Sequence, residues 1–151
     1  RSFNLPVKIL RPFNTYGPKM DDSKYGQVVP EFFRKALGDE VFTIIGSGEE
    51  TRSFCYVSDH VEIAVKAAES LNTLNEIYNI GAEHEVSILE LAEMIHNIIG
   101  IEFIYQNIES RKDDIQRRCP SIKKISSATS ISPKITLLNG LTKMHKSILN
   151  S

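Results

Sequence analysis

Three polar clusters carry the residue types that could do chemistry, and each follows a short apolar run. The first is Arg11-Pro12-Phe13-Asn14-Thr15-Tyr16-Gly17-Pro18. The second runs from Gly46 and Gly48 through Glu49, Glu50, Arg52 and Phe54 to Asp59, and the third is Arg111-Lys112-Asp113-Asp114. A guanidinium presents a planar fork of donors that matches phosphate oxygens, and two of them can neutralise a diphosphate. Asparagine amides suit phosphate oxygens and sugar hydroxyls without adding charge. Arg52, Arg111, Asn14 and Asn79 would form a diphosphate clamp if the fold brings them together. Each also has a plainer reading. Arg52 can pair with Asp59 or Glu49, Asn14 can serve a turn, Asn79 can satisfy backbone at a strand end, and Arg111 can be a solvated surface charge. Glu49 and Glu50 read as a solvated loop rather than an acid–base pair.

Other chemistries are excluded for this sequence by inspection. It has no Gly-x-x-x-x-Gly-Lys loop, no Gly-x-Gly-x-x-Gly turn and no Gly-x-Ser-x-Gly elbow. The histidines at 60, 84, 96 and 145 lack ligand spacing, so no metal is expected. None of the five tyrosines is followed four positions later by a lysine. Cys55 and Cys119 are far apart and match no metal spacing, which sets the expectation of a reducing, cytoplasmic location. No apolar run approaches the roughly 18 residues that a membrane-spanning helix needs.

The 151 residues, 41% hydrophobic and 25% charged, suit one soluble domain with a real core. The net charge of -1 hides a split. Residues 1–110 hold 9 Lys/Arg and 17 Asp/Glu, whereas residues 111–151 hold 9 and 2. The basic tail either faces acidic surface within the same protein or meets an anionic partner. Single-stranded RNA binders add stacking aromatics, and residues 111–151 contain no Phe, Tyr or Trp, which argues against nucleic acid.

The elements that must position these clusters alternate between strand and helix, which places the fold in the α/β class. Strands are expected over 5–11, 41–45, 53–57, 77–80 and 101–105. Val28, Val29, Phe32, Phe33, Ala36 and Leu37 recur at helical spacing, with Pro30 in the first turn and Gly38 at the end. Ser58 or Asp59 would cap a helix carrying Val61, Ala64, Val65, Ala68 and Leu71. Ser87-Ile88-Leu89-Glu90 reads as a capping box opening a helix that ends at Gly100. Residues 106–136 read as irregular. A last helix is expected over 137–149, with Leu138, Leu141, His145 and Ile148 on one side.

Six motifs in order resemble a known family. They are Arg11-x-x-Asn14-x-Tyr16-Gly17-Pro18, Gly26-x-Val28-Val29-Pro30-x-Phe32, Gly46-x-Gly48-x-x-Thr51-Arg52-Ser53-Phe54-x-Tyr56-Val57-x-Asp59, Tyr78-Asn79-Ile80-Gly81, Ser87-Ile88-x-Glu90-Leu91-Ala92 and Arg111-x-x-Asp114-Ile115-x-Arg117. Together they resemble the back half of the extended short-chain dehydrogenase/reductases, the NAD-dependent nucleotide-sugar epimerases, dehydratases and decarboxylases. The pattern is most similar to that of UDP-glucuronate decarboxylases and dTDP-glucose 4,6-dehydratases, and it covers about residues 5–146.

The resemblance implies roles. Asn14, Arg52 and Arg111 would hold the diphosphate of a UDP- or dTDP-sugar, with Asn79 near it and Asp114 in the same substrate site. Val28, Val29 and the strand around Phe42 and Ile45 would flank the base, and Pro12 and Phe13 would lie beside the nicotinamide of NAD. Asp59 would brace the arginine loop, and the tail arginines Arg111, Arg117 and Arg118 would face a diphosphate. The family's glycine-rich turn and its Tyr-x-x-x-Lys pair are missing from these 151 residues and are expected upstream, so no catalytic residue is assigned. Asp113-Asp114, Pro120-Ser121-Ile122-Lys123-Lys124 and Thr129-Ser130-Ile131-Ser132-Pro133 depart from the family's usual runs. The expectation is a C-terminal substrate-binding portion over 1–151, with one or two strands of a parent Rossmann-type sheet and a small mixed α/β domain. The NAD-binding N-terminal portion would be the partner, and the parent a homodimer. The isolated chain is expected to be inactive. The alternative is a stand-alone nucleotide-sugar-binding module without catalysis.

Overall fold

The computed structural model describes residues 5–20, 27–38, 41–109 and 115–150. In chain order its elements are β1 (Lys8–Pro12), β2 (Thr15–Tyr16), α1 (Val28–Leu37), β3 (Thr43–Ile45), β4 (Thr51–Ser53), β5 (Cys55–Tyr56) and α2 (Val57–Glu69), followed by β6 (Glu76–Ile80), β7 (Glu85–Ser87), α3 (Ile88–Ile99), β8 (Gln106–Ile108), β9 (Arg117–Arg118), α4 (Lys123–Thr129) and α5 (Leu137–Leu149). Short parallel ladders join β1 to β6, β2 to β5 and β3 to β8. Strand β4 pairs antiparallel with β7 on one side and parallel with β9 on the other. The mixed α/β class expected from the sequence is what these elements form.

Among the described residues, two cores hold the molecule together. In one, Leu10, Tyr78 and Ile80 of the β1–β6 ribbon meet Ile63 and Ala67 of α2 and Ile125 of α4. In the other, α1, α3 and α5 bury Phe33, Leu91, Ile95 and Leu141 around the aromatic residues Tyr16, Phe42 and Phe54. Strand alternation turns Ile9 and its register partner Ile77 to the opposite face of the ribbon, where they are 46% and 42% exposed. On α2, Val57, Val61 and Val65 recur every four residues and are also exposed.

Helix α3 forms as its sequence dictates. Ser87 Oγ accepts from the Glu90 amide at 3.0 Å, and Glu90 returns an acceptor to the Ser87 amide at 2.7 Å. Gly100 closes the helix at φ 84, a left-handed conformation that costs glycine little. Helix α1 starts at Val28 with Pro30 in its first turn, where no intrahelical donor is needed.

Other expectations are corrected. The strand expected at 101–105 lies instead at Gln106–Ile108, because the ladder with β3 sets the register from Thr43↔Gln106 onward. Residues 106–136, read as irregular, contain β8, β9 and α4. Helix α2 begins at Val57 with Tyr56 before it, so Ser58 and Asp59 fall inside its first turn and cap nothing. The buried side of α5 is Gly140, Leu141 and Met144, while Leu138 is exposed.

The charge split is answered within the chain. Arg117 meets Glu85, Lys124 meets Glu76 at 2.7 Å, and Lys134 meets Glu62 at 2.7 Å. Basic residues after 110 thus face carboxylates before it.

Candidate functional site

A cleft of about 670 Å³ opens where the ends of β1 and β4 approach α1 and β3. Pro12, Phe13 and Asn14 line it from the end of β1, and Val28, Glu31, Phe32 and Lys35 from one side of α1. Thr43 and Ile45 come from β3, Glu50, Arg52 and Phe54 from β4 and its flanks, and Arg118 from β9.

Strand geometry explains which side chains face the opening. Residues two apart along a strand share a face, so Glu50, Arg52 and Phe54 enter the cleft together. Thr51, between them, turns away and donates its hydroxyl to Glu85 at 3.0 Å. The parallel ladder with β9 places Thr51 beside Arg117 and Arg52 beside Arg118. Arg117 follows Thr51 to the far face and binds Glu85, while Arg118 joins Arg52 in the cleft. Two neighbouring strands therefore present guanidinium groups to one space. Like charges directly opposite on adjacent strands destabilise a sheet, and a bound anion with two negative groups would relieve that repulsion.

Asn14 is held for display. Its backbone is left-handed at φ 39, its carbonyl accepts from the Cys55 amide at 3.1 Å, and its Nδ2 donates to Ser53 O at 2.8 Å. Asn14 thus serves the turn and also lines the cleft. Arg52 Nη1 donates to Thr51 O at 2.8 Å, which fixes one edge of its fork. The opposite wall is braced by Lys35, which pairs with Glu31 at 2.9 Å and donates to Thr43 Oγ1 at 2.8 Å.

Of the residues singled out in the sequence, Pro12, Phe13, Asn14, Val28, Ile45 and Arg52 converge on this cleft. Val29 and Phe42 do not line it. They are buried at 1% and 5% exposure, and Phe42 packs on Phe32 and His96. Asn79 sits on β6 in register with Arg11 and is not part of the lining. Arg111 and Asp114 lie outside the described residues. Asp59 does not brace the arginine loop: its Oδ2 accepts the amides of Lys134 at 3.0 Å and Ile135 at 2.8 Å, fixing the segment before α5.

Sequence reasoning left several residues of the cleft unassigned, among them Glu31, Phe32, Lys35 and Glu50. Glu50, read as solvated, is only 6% exposed. Its two-residue spacing from Arg52 was the available signal. Of the tail arginines expected to face a diphosphate, Arg118 reaches the cleft through the β4–β9 register, whereas Arg117 pairs with Glu85.

Burial shifts several titratable groups that lie outside the cleft. Burial, and then the charges of Cys55, Tyr56 and Asp59, push the Tyr16 phenol far above its ordinary value, and its hydroxyl donates to Leu137 O at 3.2 Å. Burial, reinforced by Asp59, pushes the Cys55 thiol up to about 12. Neither group is a neutral-pH acid or base. Burial lowers the His60 pKa against the opposing effects of its contact with Ile80 O and of Asp59. Among the described residues no group of His, Cys, Asp and Glu side chains could hold a metal ion, and no helix is long and apolar enough to cross a membrane.

Comparison with known proteins decides the family. The model of the NAD-dependent epimerase/dehydratase family matches residues 1–81. The chain belongs to that family. A UDP-glucuronic acid decarboxylase of Arabidopsis thaliana is 36% identical over 146 residues, covering 97% of this chain and 42% of the relative. The UDP-glucose 4-epimerase of Thermotoga maritima, solved with UDP-glucose, superposes with a TM-score of 0.93 at 28% identity over 99% of this chain and 48% of its own. The UDP-glucuronic acid 4-epimerase of Bacillus cereus, solved with UDP-glucuronic acid and NAD, superposes with a TM-score of 0.89 at 30% identity over 98% and 46%. The chain thus spans a little under half the length of these epimerase/dehydratase relatives. A second family model, DNA polymerase III subunits gamma and tau domain III, matches residues 42–138 and overlaps the first. Agreement along nearly the whole chain with solved nucleotide-sugar epimerases carries the assignment to the epimerase/dehydratase family.

Proposed function

We propose that this chain is the nucleotide-sugar-binding portion of an NAD-dependent epimerase, dehydratase or decarboxylase that works through a 4-keto sugar. One observation carries the reading: Arg52 and Arg118 stand side by side in register and face one cleft with Asn14. Two guanidinium forks and an amide match a diphosphate. Val28, Phe32 and Ile45 offer the apolar wall that a flat base needs. A UDP- or dTDP-sugar fits this donor set.

Pro12 and Phe13 line the same cleft at the end of β1 and fit the flat face of a nicotinamide. The 151 residues contain no glycine-rich turn for the phosphates of NAD, so the greater part of that cofactor would be held by another portion of the parent protein. NAD held beside Pro12 and Phe13 would supply the hydride acceptor for sugar C4. The work of the present residues is to grip the diphosphate, orient the sugar and shield one wall of the site. The open faces of the β1–β6 ribbon and of α2 support a missing partner portion, since parallel sheets are covered on both sides. Such a portion would supply the acid–base pair, and the isolated chain turns over no substrate. Pairing of two parent copies into a homodimer belongs to the same proposal.

Titration calorimetry with UDP-glucuronate tests the reading. Binding is expected, with Arg52→Ala and Arg118→Ala each weakening it by about tenfold or more, as for a lost charge-assisted contact. Binding that is unchanged in both variants would overturn it.

A further inference from the structure

We infer that Glu85 is a positioning residue for the diphosphate: reaching across β4 to Arg117, it latches β9 to the sheet and so holds Arg118 beside Arg52 in the cleft. The inference rests on the cleft being a diphosphate site, and it names a residue outside that cleft on which the second guanidinium depends.

Strand β9 is weakly held by its own backbone. It consists of Arg117 and Arg118 alone, and residues 115–118 are all exposed. Its ladder with β4 has two register pairs, preceded by a hydrogen bond from the Thr51 amide to Gln116 O at 2.9 Å. So short a strand buries no apolar face to oppose the repulsion between Arg52 and Arg118, which lie directly opposite each other. Downstream the chain is anchored separately, since Pro120 is buried and the Ile122 amide donates to Glu83 at 3.0 Å.

Glu85 supplies the further hold. It stands on β7, at the opposite edge of the three-stranded sheet β7-β4-β9. Two strand spacings, about 10 Å, separate β7 from β9. The carboxylate closes that gap on the face away from the cleft. Its Oε2 accepts from Arg117 Nε at 2.9 Å and from Thr51 Oγ1 at 3.0 Å, and its Oε1 accepts from Arg117 Nη2. Two guanidinium donors on two carboxylate oxygens fix orientation as well as distance. Those bonds from Arg117 hold the Glu85 carboxyl below its ordinary value, so the pair is charged at neutral pH. Successive residues of a strand face opposite sides, so pinning Arg117 on the far face turns Arg118 into the cleft.

The sign of one substitution tests the latch. Glu85 is a negative charge near an anion site, so through charge alone Glu85→Gln would tighten binding. The latch predicts the reverse. Glu85→Gln keeps the size of the side chain and an acceptor for Thr51 but removes the ion pair. In calorimetry it should weaken UDP-glucuronate about threefold, the scale of an exposed ion pair. In the Arg118→Ala background the same substitution should weaken binding no further, because the residue it positions is gone. Exchange of the Thr51 amide, which donates to Gln116 O, should be faster in Glu85→Gln than in the wild type. Binding by Glu85→Gln that equals or exceeds that of the wild type, equal weakening in both backgrounds, or an unchanged exchange rate would overturn the inference while leaving the diphosphate site intact. Failure of the wild type to bind UDP-glucuronate would overturn both readings.

Discussion

Replacing Gly140 by alanine places a methyl carbon where none fits. A Cβ built there meets Tyr16 Oη at 1.9 Å and Tyr16 Cζ at 2.7 Å. Ordinary contact needs more than an ångström beyond the first distance, so the ring or α5 must move. The Tyr16 ring is held edge-on by Phe54 at 6.4 Å and Tyr56 at 5.5 Å, and its hydroxyl donates to Leu137 O. Losing that hydrogen bond costs about 1 kcal/mol. Overpacking the core costs about 1–3 kcal/mol. Alanine's helical preference over glycine returns about 1 kcal/mol. The net loss is about 2 kcal/mol, which lowers the melting temperature of a domain this size by roughly 4–8 °C. Thermal melts followed by circular dichroism measure it. The double variant Tyr16→Phe/Gly140→Ala removes the closest atom and should melt above Gly140→Ala alone. A Gly140→Ala protein that melts at or above the wild type would refute the packing of α5 against Tyr16. Because Tyr16 supports Phe54, a residue of the cleft, weaker UDP binding should accompany the lower stability.

Ser87→Ala removes the acceptor for the Glu90 amide and should cost about 1 kcal/mol in a denaturant melt; no change would mean that the capping box is not stabilising α3. His60 is buried, its Nδ1 has no partner among the described residues, and its pKa is lowered. The unfolded chain therefore takes up the proton first as pH falls below about 6.5, so this residue lowers stability from there toward pH 5. His60→Phe should flatten the dependence of melting temperature on pH between 7.5 and 5, and an unaltered slope would refute this. On the open ribbon face, Ile9→Lys with Ile77→Lys should reduce self-association in light scattering if that face is sticky in the isolated chain.

What the sequence made legible was local. The capping box of α3, the proline in the first turn of α1 and the glycine ending α3 each depend on residues within four positions of one another. The expectations that fail depend on partners far along the chain. Asp59 looked like a helix cap, but its carboxylate is claimed by amides 75 and 76 positions away. Leu138 reads as core-facing, yet it is 52% exposed, while Leu141, His145 and Ile148 of the same expected side do meet the core. Apolar residues 101–105 looked like a strand, but the hydrogen-bonded ladder begins at Gln106 and leaves Phe103 to stack on Phe42, His96 and Tyr105. The site shows the same division. Asn14 and Arg52 were visible as residue types in turn-rich loops, and the fold brings them to one cleft. Phe42 and Val29 carry the same apolar character as Ile45 and Val28, but strand and helix alternation sends them into the core. Arg118 enters only because β9 pairs with β4 in a particular register.

The most direct measurement is a backbone amide NMR spectrum of the chain recorded as UDP is added. The account predicts saturable shifts at Asn14, Val28, Ile45, Glu50, Arg52 and Arg118, the walls of one cleft. Shifts confined to the groove around Met94, Ile122 and Ile135 would contradict it, as would a spectrum that UDP leaves unchanged.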